Sequence, residues 1–181
     1  DLVWSQASGK LDFGSSYLAT DAARVNFHGA LGARLEVGFY STRVRDLEPV
    51  IAMLRHEDEY RLPLHLQGGE ARFNGVITGA MEQLDVKGQA SLSNVVYEET
   101  LFERAAADLH LTRSQLDLSG LELRSEKAEA TGSVRVGLTD WSMEWDDALA
   151  AKLRVTQMDV QRLLRMAKVT APIAGTIDAT V

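Results

Sequence analysis

Four histidines, 26 acidic side chains and no cysteine set the chemistry open to this chain of 181 residues. His28, His56, His65 and His110 share no H-x-x-x-H spacing of the kind that places two imidazoles on one helix face for a metal. His56-Glu57-Asp58-Glu59 is the densest polar run. It lacks the spaced oxygen ligands and turn glycine of a calcium loop and reads as a solvated loop. Glu98-Glu99 and Asp146-Asp147 are adjacent pairs, which a strand would point to opposite faces, so neither suits an acid/base pair on one substrate. No G-x-S-x-G, phosphate-binding glycine loop or dinucleotide fingerprint occurs. Without cysteine there is no thiolate nucleophile and no cysteine-held zinc. Trp141, Met143 and Trp145 have the spacing of one strand face, which suits a sugar-stacking ladder or contact with a neighbouring layer. The expectation is no enzyme, no catalytic residue, no metal and no cofactor.

Composition narrows the classes further. Apolar residues make up 45% and charged residues 25%, enough to build a core and too apolar for a disordered tail. Nineteen basic against 26 acidic residues give a net charge of −7 with no basic block, which argues against a nucleic-acid partner. No apolar run approaches the ~20 residues of a membrane-crossing helix. The chain opens at Asp1 without a methionine and stops at Val181 within an alternating run, and so reads as a piece of a larger protein.

The elements that would carry any site are mostly strands. Apolar and polar residues alternate in Val25-Asn26-Phe27, Leu35-Glu36-Val37-Gly38-Phe39, Leu62 to Leu66 and Leu84-Asp85-Val86. The same period returns at Leu109-His110-Leu111, Leu116-Asp117-Leu118, Leu121-Glu122-Leu123, Val134-Arg135-Val136 and Leu149 to Val155. Glycines at 68, 69, 75, 79, 88, 120 and 132 punctuate these runs at turn or bulge positions, and Gly29 to Ala33 reads as a turn. The pattern predicts an antiparallel architecture with one dry face and one wet face.

Two segments change to a helical period. Asp46 is placed to cap a helix over 46–55, with Leu47, Val50, Ile51 and Leu54 on one side and Pro49 in the first turn. Asp159 is placed to cap a second over 159–168, with Val160, Leu163, Leu164 and Ala167 as its stripe. Each follows an alternating strand and precedes a proline-led one, Pro63-Leu64 or Pro172-Ile173. This shared order indicates an internal repeat, with a first unit over 1–74 and a second over 75–181 in one continuous β segment.

Gly75-Val76-Ile77-Thr78-Gly79, Leu84-Asp85-Val86-Lys87-Gly88-Gln89-Ala90, Asn94-Val95-Val96-Tyr97, Ala130-Thr131-Gly132-Ser133-Val134, the Asp-led segment with Leu163-Leu164 and Ala174-Gly175-Thr176-Ile177 follow one another in order. This succession resembles the TamB branch of the AsmA-like family of the diderm bacterial envelope. The likeness runs from about Gly75 to Val181 and extends less tightly over the N-terminal third. It implies an elongated, curved and twisted antiparallel sheet, a β-taco or groove built from repeats. It also implies an inner-membrane anchor, a course through the periplasm and transport of phospholipid to the outer membrane, with a β-barrel partner in the TamB case. This chain holds neither the family's N-terminal membrane helix nor its partner-binding C-terminal region, so the resemblance makes it an internal segment flanked by further repeats.

On that reading the groove is lined by Val25, Phe27, Leu35, Val37, Phe39, Leu62, Leu64, Leu66, Phe73, Leu84, Val86, Leu92, Leu109, Leu111, Leu116, Leu118, Leu121, Leu123, Val134, Val136, Leu153 and Val155. Roughly 12 strands at ~4.8 Å apart would extend about 58 Å along it. Two other classes compete. One is a scaffold or chaperone that templates client β-strands at an open edge. The other is a closed carbohydrate-binding or adhesive β-sandwich using Trp141 and Trp145.

Overall fold

The computed structural model describes residues 3–5, 10–48, 61–80, 82–97, 99–126, 128–142, 147–159 and 176–180. Period-two sequence becomes strand over most of its length among them, with Leu62 and Leu84 just outside strands. The strands are β1 (Val3–Ser5), β2 (Lys10–Ala19), β3 (Ala23–Leu31), β4 (Arg34–Ser41), β5 (Leu64–Leu66) and β6 (Ala71–Thr78). They continue with β7 (Asp85–Tyr97), β8 (Thr100–Thr112), β9 (Gln115–Ser125), β10 (Ala128–Gly137), β11 (Leu149–Asp159) and β12 (Thr176–Thr180).

All twelve belong to one sheet in the order β1-β2-β3-β4-β6-β7-β8-β9-β10-β11-β12, with β5 paired to the far end of β7. Every pairing is antiparallel. Chain order and spatial order therefore nearly coincide, as short connections require. The sheet is neither closed nor strongly curled. It runs without interruption through residues 74 and 75, which both lie inside β6.

Three bulges keep the pleat in phase. In β9, Ser119 and Gly120 together oppose Ser133 of β10, Gly120 and Leu121 together oppose Ala107 of β8, and Gly120 takes a φ of 56°. Leu118 and Leu121 have opposite parity in the sequence, yet the extra residue returns both to one face. Gly14 in β2 and Gln157 in β11 lie at similar shifts, with φ of 57° and 51°.

The first predicted helix begins as a single 3-10 turn at Val44–Leu47 with Arg43 at its N-cap, so Asp46 lies inside the turn rather than at its cap. The rest of that prediction, and the helix predicted over 159–168 beyond Asp159, fall outside the described residues. Trp141 is not on a strand. It occupies a turn with a φ of 71°, and Met143 and Trp145 lie outside the described residues. Among the described residues there is one sheet and no second sheet stacked upon it.

Candidate functional site: two faces of one sheet

Directly opposed residues of an antiparallel pair share a face, so the register assembles each face row by row. One row crosses the sheet as Phe27, Val37, Gly75, Gly88, Leu109, Leu118, Val134 and Ala151. The next holds Val25, Phe39, Phe73, Ala90 and Ala107, and beyond the β9 bulge Leu121, Gly132 and Leu153. On the other side run Leu35, Ile77, Val86, Leu111, Leu116, Val136 and Leu149. A fourth row is Ser41, Ala71, Leu92, Ala105, Leu123, Ala130 and Val155. No charged side chain occurs in these four rows.

The predicted lining residues on β3, β4 and β6 to β11 therefore lie together on one face. Leu64 and Leu66 sit on β5 opposite Tyr97 and Val95, past the positive φ of 46° at Asn94. Leu62 and Leu84 lie just outside strands. Leu35 is buried to 2% exposure, and the rest are half-buried. Their cover is lateral. The Phe13 and Phe27 rings stack at 4.9 Å, and the Phe73 ring lies over Gly75 and Gly88, where added Cβ atoms would meet it at 2.5 and 2.7 Å. Sequence reading missed Ile77, which the register adds to this face, and Leu18, which pairs with Val25 and is 69% exposed. Ile77 stood inside a quoted glycine motif, where the adjacent Val76 masked its alternation.

The opposite face is polar. Arg24 lies over the Tyr17 ring at 4.3 Å, and Arg72 over Tyr40 at 5.5 Å. Arg104 donates to Glu122 at 3.0 Å and Gln89 to Asp108 at 2.9 Å. His110 Nε2 is 3.0 Å from Asp85, and Lys87 reaches the same carboxylate at 3.3 Å. Burial pushes the Asp85 carboxyl up, but the hydrogen bonds from His110 and Lys87 prevail and hold it below its ordinary value. Asp117 accepts from Arg135 and from Gln115, which likewise lower its pKa.

Each described histidine fits such a surface. His28 Nδ1 pairs with the Ser15 hydroxyl at 2.9 Å, His110 serves Asp85, and His65 is exposed on β5. His56 lies outside the described residues. Among the described residues no group of three or more His, Asp or Glu side chains is placed to hold a metal ion, and no helix is long and apolar enough to cross a membrane.

Three hollows among the described residues lie on this polar face, and another lies beside the 3-10 turn and β5. The largest, about 880 Å³, spans β3, β4, β6, β7, β8 and β9 and is lined by Asn26, His28, Glu36, Gly38, Asn74, Lys87, Gln89, Asp108, His110 and Ser119. Phe27, Val37 and Leu109, of the predicted lining residues, also border it, together with Gly75, Val76 and Gly88. Comparison with family models, with curated proteins and with solved structures finds no match for this chain.

Proposed function

We propose that this chain is an internal, periplasmic segment of an inner-membrane-anchored envelope protein, whose apolar sheet face carries phospholipid acyl chains between the inner and outer membranes. The observation that supports this most is the run of uncharged rows extending from β3 to β11. Apolar contact is non-directional, so an acyl chain gains on any part of such a face and can slide along it without a chemical step. Each buried methylene contributes ~0.8 kcal/mol, and a 16-carbon tail on the order of 12 kcal/mol before the costs of ordering it. The face is half-buried, with aliphatic side chains still open to a guest.

On this reading the β-taco arises in the assembled array, because the right-handed twist between strands accumulates as flanking repeats continue the sheet. A β-barrel partner in the outer membrane would dock through regions outside this chain. Native mass spectrometry of the purified chain, followed by solvent extraction, tests the proposal. Phospholipid adducts that disappear in Leu118→Asp/Val136→Asp support it. A lipid-free mass that stays lipid-free on titration with phospholipid overturns it.

One observation favours a second reading, the scaffold for outer-membrane or secreted β-proteins. The sheet path ends on β1 and β12, whose outer backbone groups form no ladder among the described residues and could receive a client strand. Titration with client β-strand peptides against titration with lipid separates the two.

A further inference from the structure

Gly38 stands in the middle of β4, and the fold does not require a glycine there. Every other glycine in a strand interior among the described residues has either a positive φ or a backbone oxygen within 2.6 Å of where a Cβ would stand. Gly38 has neither. A Cβ at this position would meet only Asn74 Oδ1 at 3.4 Å and Asn26 Nδ2 at 3.9 Å. Glycine in a strand interior costs roughly 0.5–1 kcal/mol relative to alanine, and a glycine with no conformational need often marks the close approach of a ligand. Gly38 lines the broad, open hollow of the polar face.

The hydrogen-bonding groups around Gly38 define the class of ligand. Asn26, Gly38, Asn74, Gln89 and Asp108 stand in register on successive strands. The charges bordering them are already matched: Glu36 with Arg34 at 3.2 Å, and Lys87 with Asp85 at 3.3 Å. The Asn74 amide makes no hydrogen bond among the described residues, and Asn26 uses its oxygen on Arg24 while its amide nitrogen faces Gly38. What is left over is a row of amides that both donate and accept, closed by the Asp108 carboxylate, which accepts from Gln89. An anion would meet the Asp108 carboxylate, no group of three ligating side chains among the described residues is placed to hold a metal ion, and an apolar guest would leave the amides unpaired. A saccharide, with neutral hydroxyls that donate and accept, satisfies these conditions. Strand pitch, about 4.8 Å, is close to the length of one pyranose unit, so consecutive sugars can meet consecutive members of the row.

We propose that the hollow over Gly38 is a binding site for a neutral oligosaccharide lying across β3, β4, β6, β7 and β8, on the face opposite the apolar rows and independent of any role they have. Isothermal titration of the full chain with cellotetraose and with chitotriose tests it, with Asn74→Ala, Gly38→Val, Thr131→Ala and Leu118→Asp alongside. Gly38→Val fills the hollow with a strand-favouring side chain and leaves both amides in place. The result expected is saturable binding of at least one sugar. It weakens about tenfold or more in Asn74→Ala and Gly38→Val, as loss of a well-placed hydrogen bond or of the space itself predicts. Thr131→Ala, outside the hollow, and Leu118→Asp, on the other face, bind as the parent does. No saturable binding of either sugar, equal binding by all variants, or saturation by a neutral extended peptide in place of the sugars overturns the proposal.

Discussion

Gly75 and Gly38 face each other obliquely across β4 and β6, and substitution should act on them in opposite senses. A Cβ on Gly75 would stand 2.6 Å from the Lys87 carbonyl oxygen and 2.5 Å from the Phe73 ring, so Gly75→Ala should lower stability by about 1–3 kcal/mol. Gly38→Ala meets only movable side-chain atoms and should raise it by roughly 0.5–1 kcal/mol. Urea denaturation of the two variants beside the parent measures both. Asp117 gives a prediction in pH. Its hydrogen bonds from Arg135 and then Gln115 hold its folded pKa below the ordinary value. Its contribution is thus complete above the unfolded pKa of about 3.9 and is lost as pH falls through the lower folded value. In Asp117→Asn the fall in melting temperature on acidification below about pH 4 should become shallower, and added salt should reduce the difference from the parent because the pair is at the surface.

Strands, at the next scale, behave as two-sided objects, and a charge should matter by the side on which it is placed. Leu118 and Val136 are on the apolar rows, while Ala150 opposes Arg135 on the polar face and is exposed. On the proposed function, Leu118→Asp/Val136→Asp should abolish lipid transfer, and Ala150→Asp should leave it within about twofold, since a carboxylate beside Arg135 stays solvated and compensated. A vesicle-to-vesicle transfer assay on folded variants reads this, and equal loss in both would remove the apolar face from the mechanism. Asp117→Lys, otherwise the obvious control from the alternation, is unsuitable because it would set a lysine against Arg135. Alternation made the strands legible, but it misplaced Trp141. Trp141, two residues from Met143, fits a strand as a string of letters, whereas the chain turns there with Thr139 bonded to Ser142.

For the molecule as a whole, the charges are segregated. The net −7 of the chain is accompanied by four apolar rows without charge and by ion pairs on the other face. A single sheet with this asymmetry leaves one side to be covered by something other than water. If phospholipid is that cover, binding to the folded state alone stabilises it by mass action. A short-chain phosphatidylcholine at a hundred times its Kd, below its micelle threshold, should add about 2.7 kcal/mol, and the doubly charged variant should gain nothing. Differential scanning calorimetry with and without the lipid measures it.

The sequence by itself determined that this protein is mainly β, that its strands have an apolar and a polar side, and which side most of their residues belong to. These are local properties: a side chain's face follows from its parity within a few residues. It could not determine the correction at Gly120, where the bulge brings Leu121 back beside Leu118, because a bulge exists only relative to the strand opposite. Nor could it assemble Asn26, Gly38, Asn74, Gln89 and Asp108 into one row, since these residues come from five strands and meet only through the register of four pairings. That register is a long-range choice, fixed when the whole apolar face is matched at once. The tertiary structure alone therefore decided that the hollow lies on the polar side.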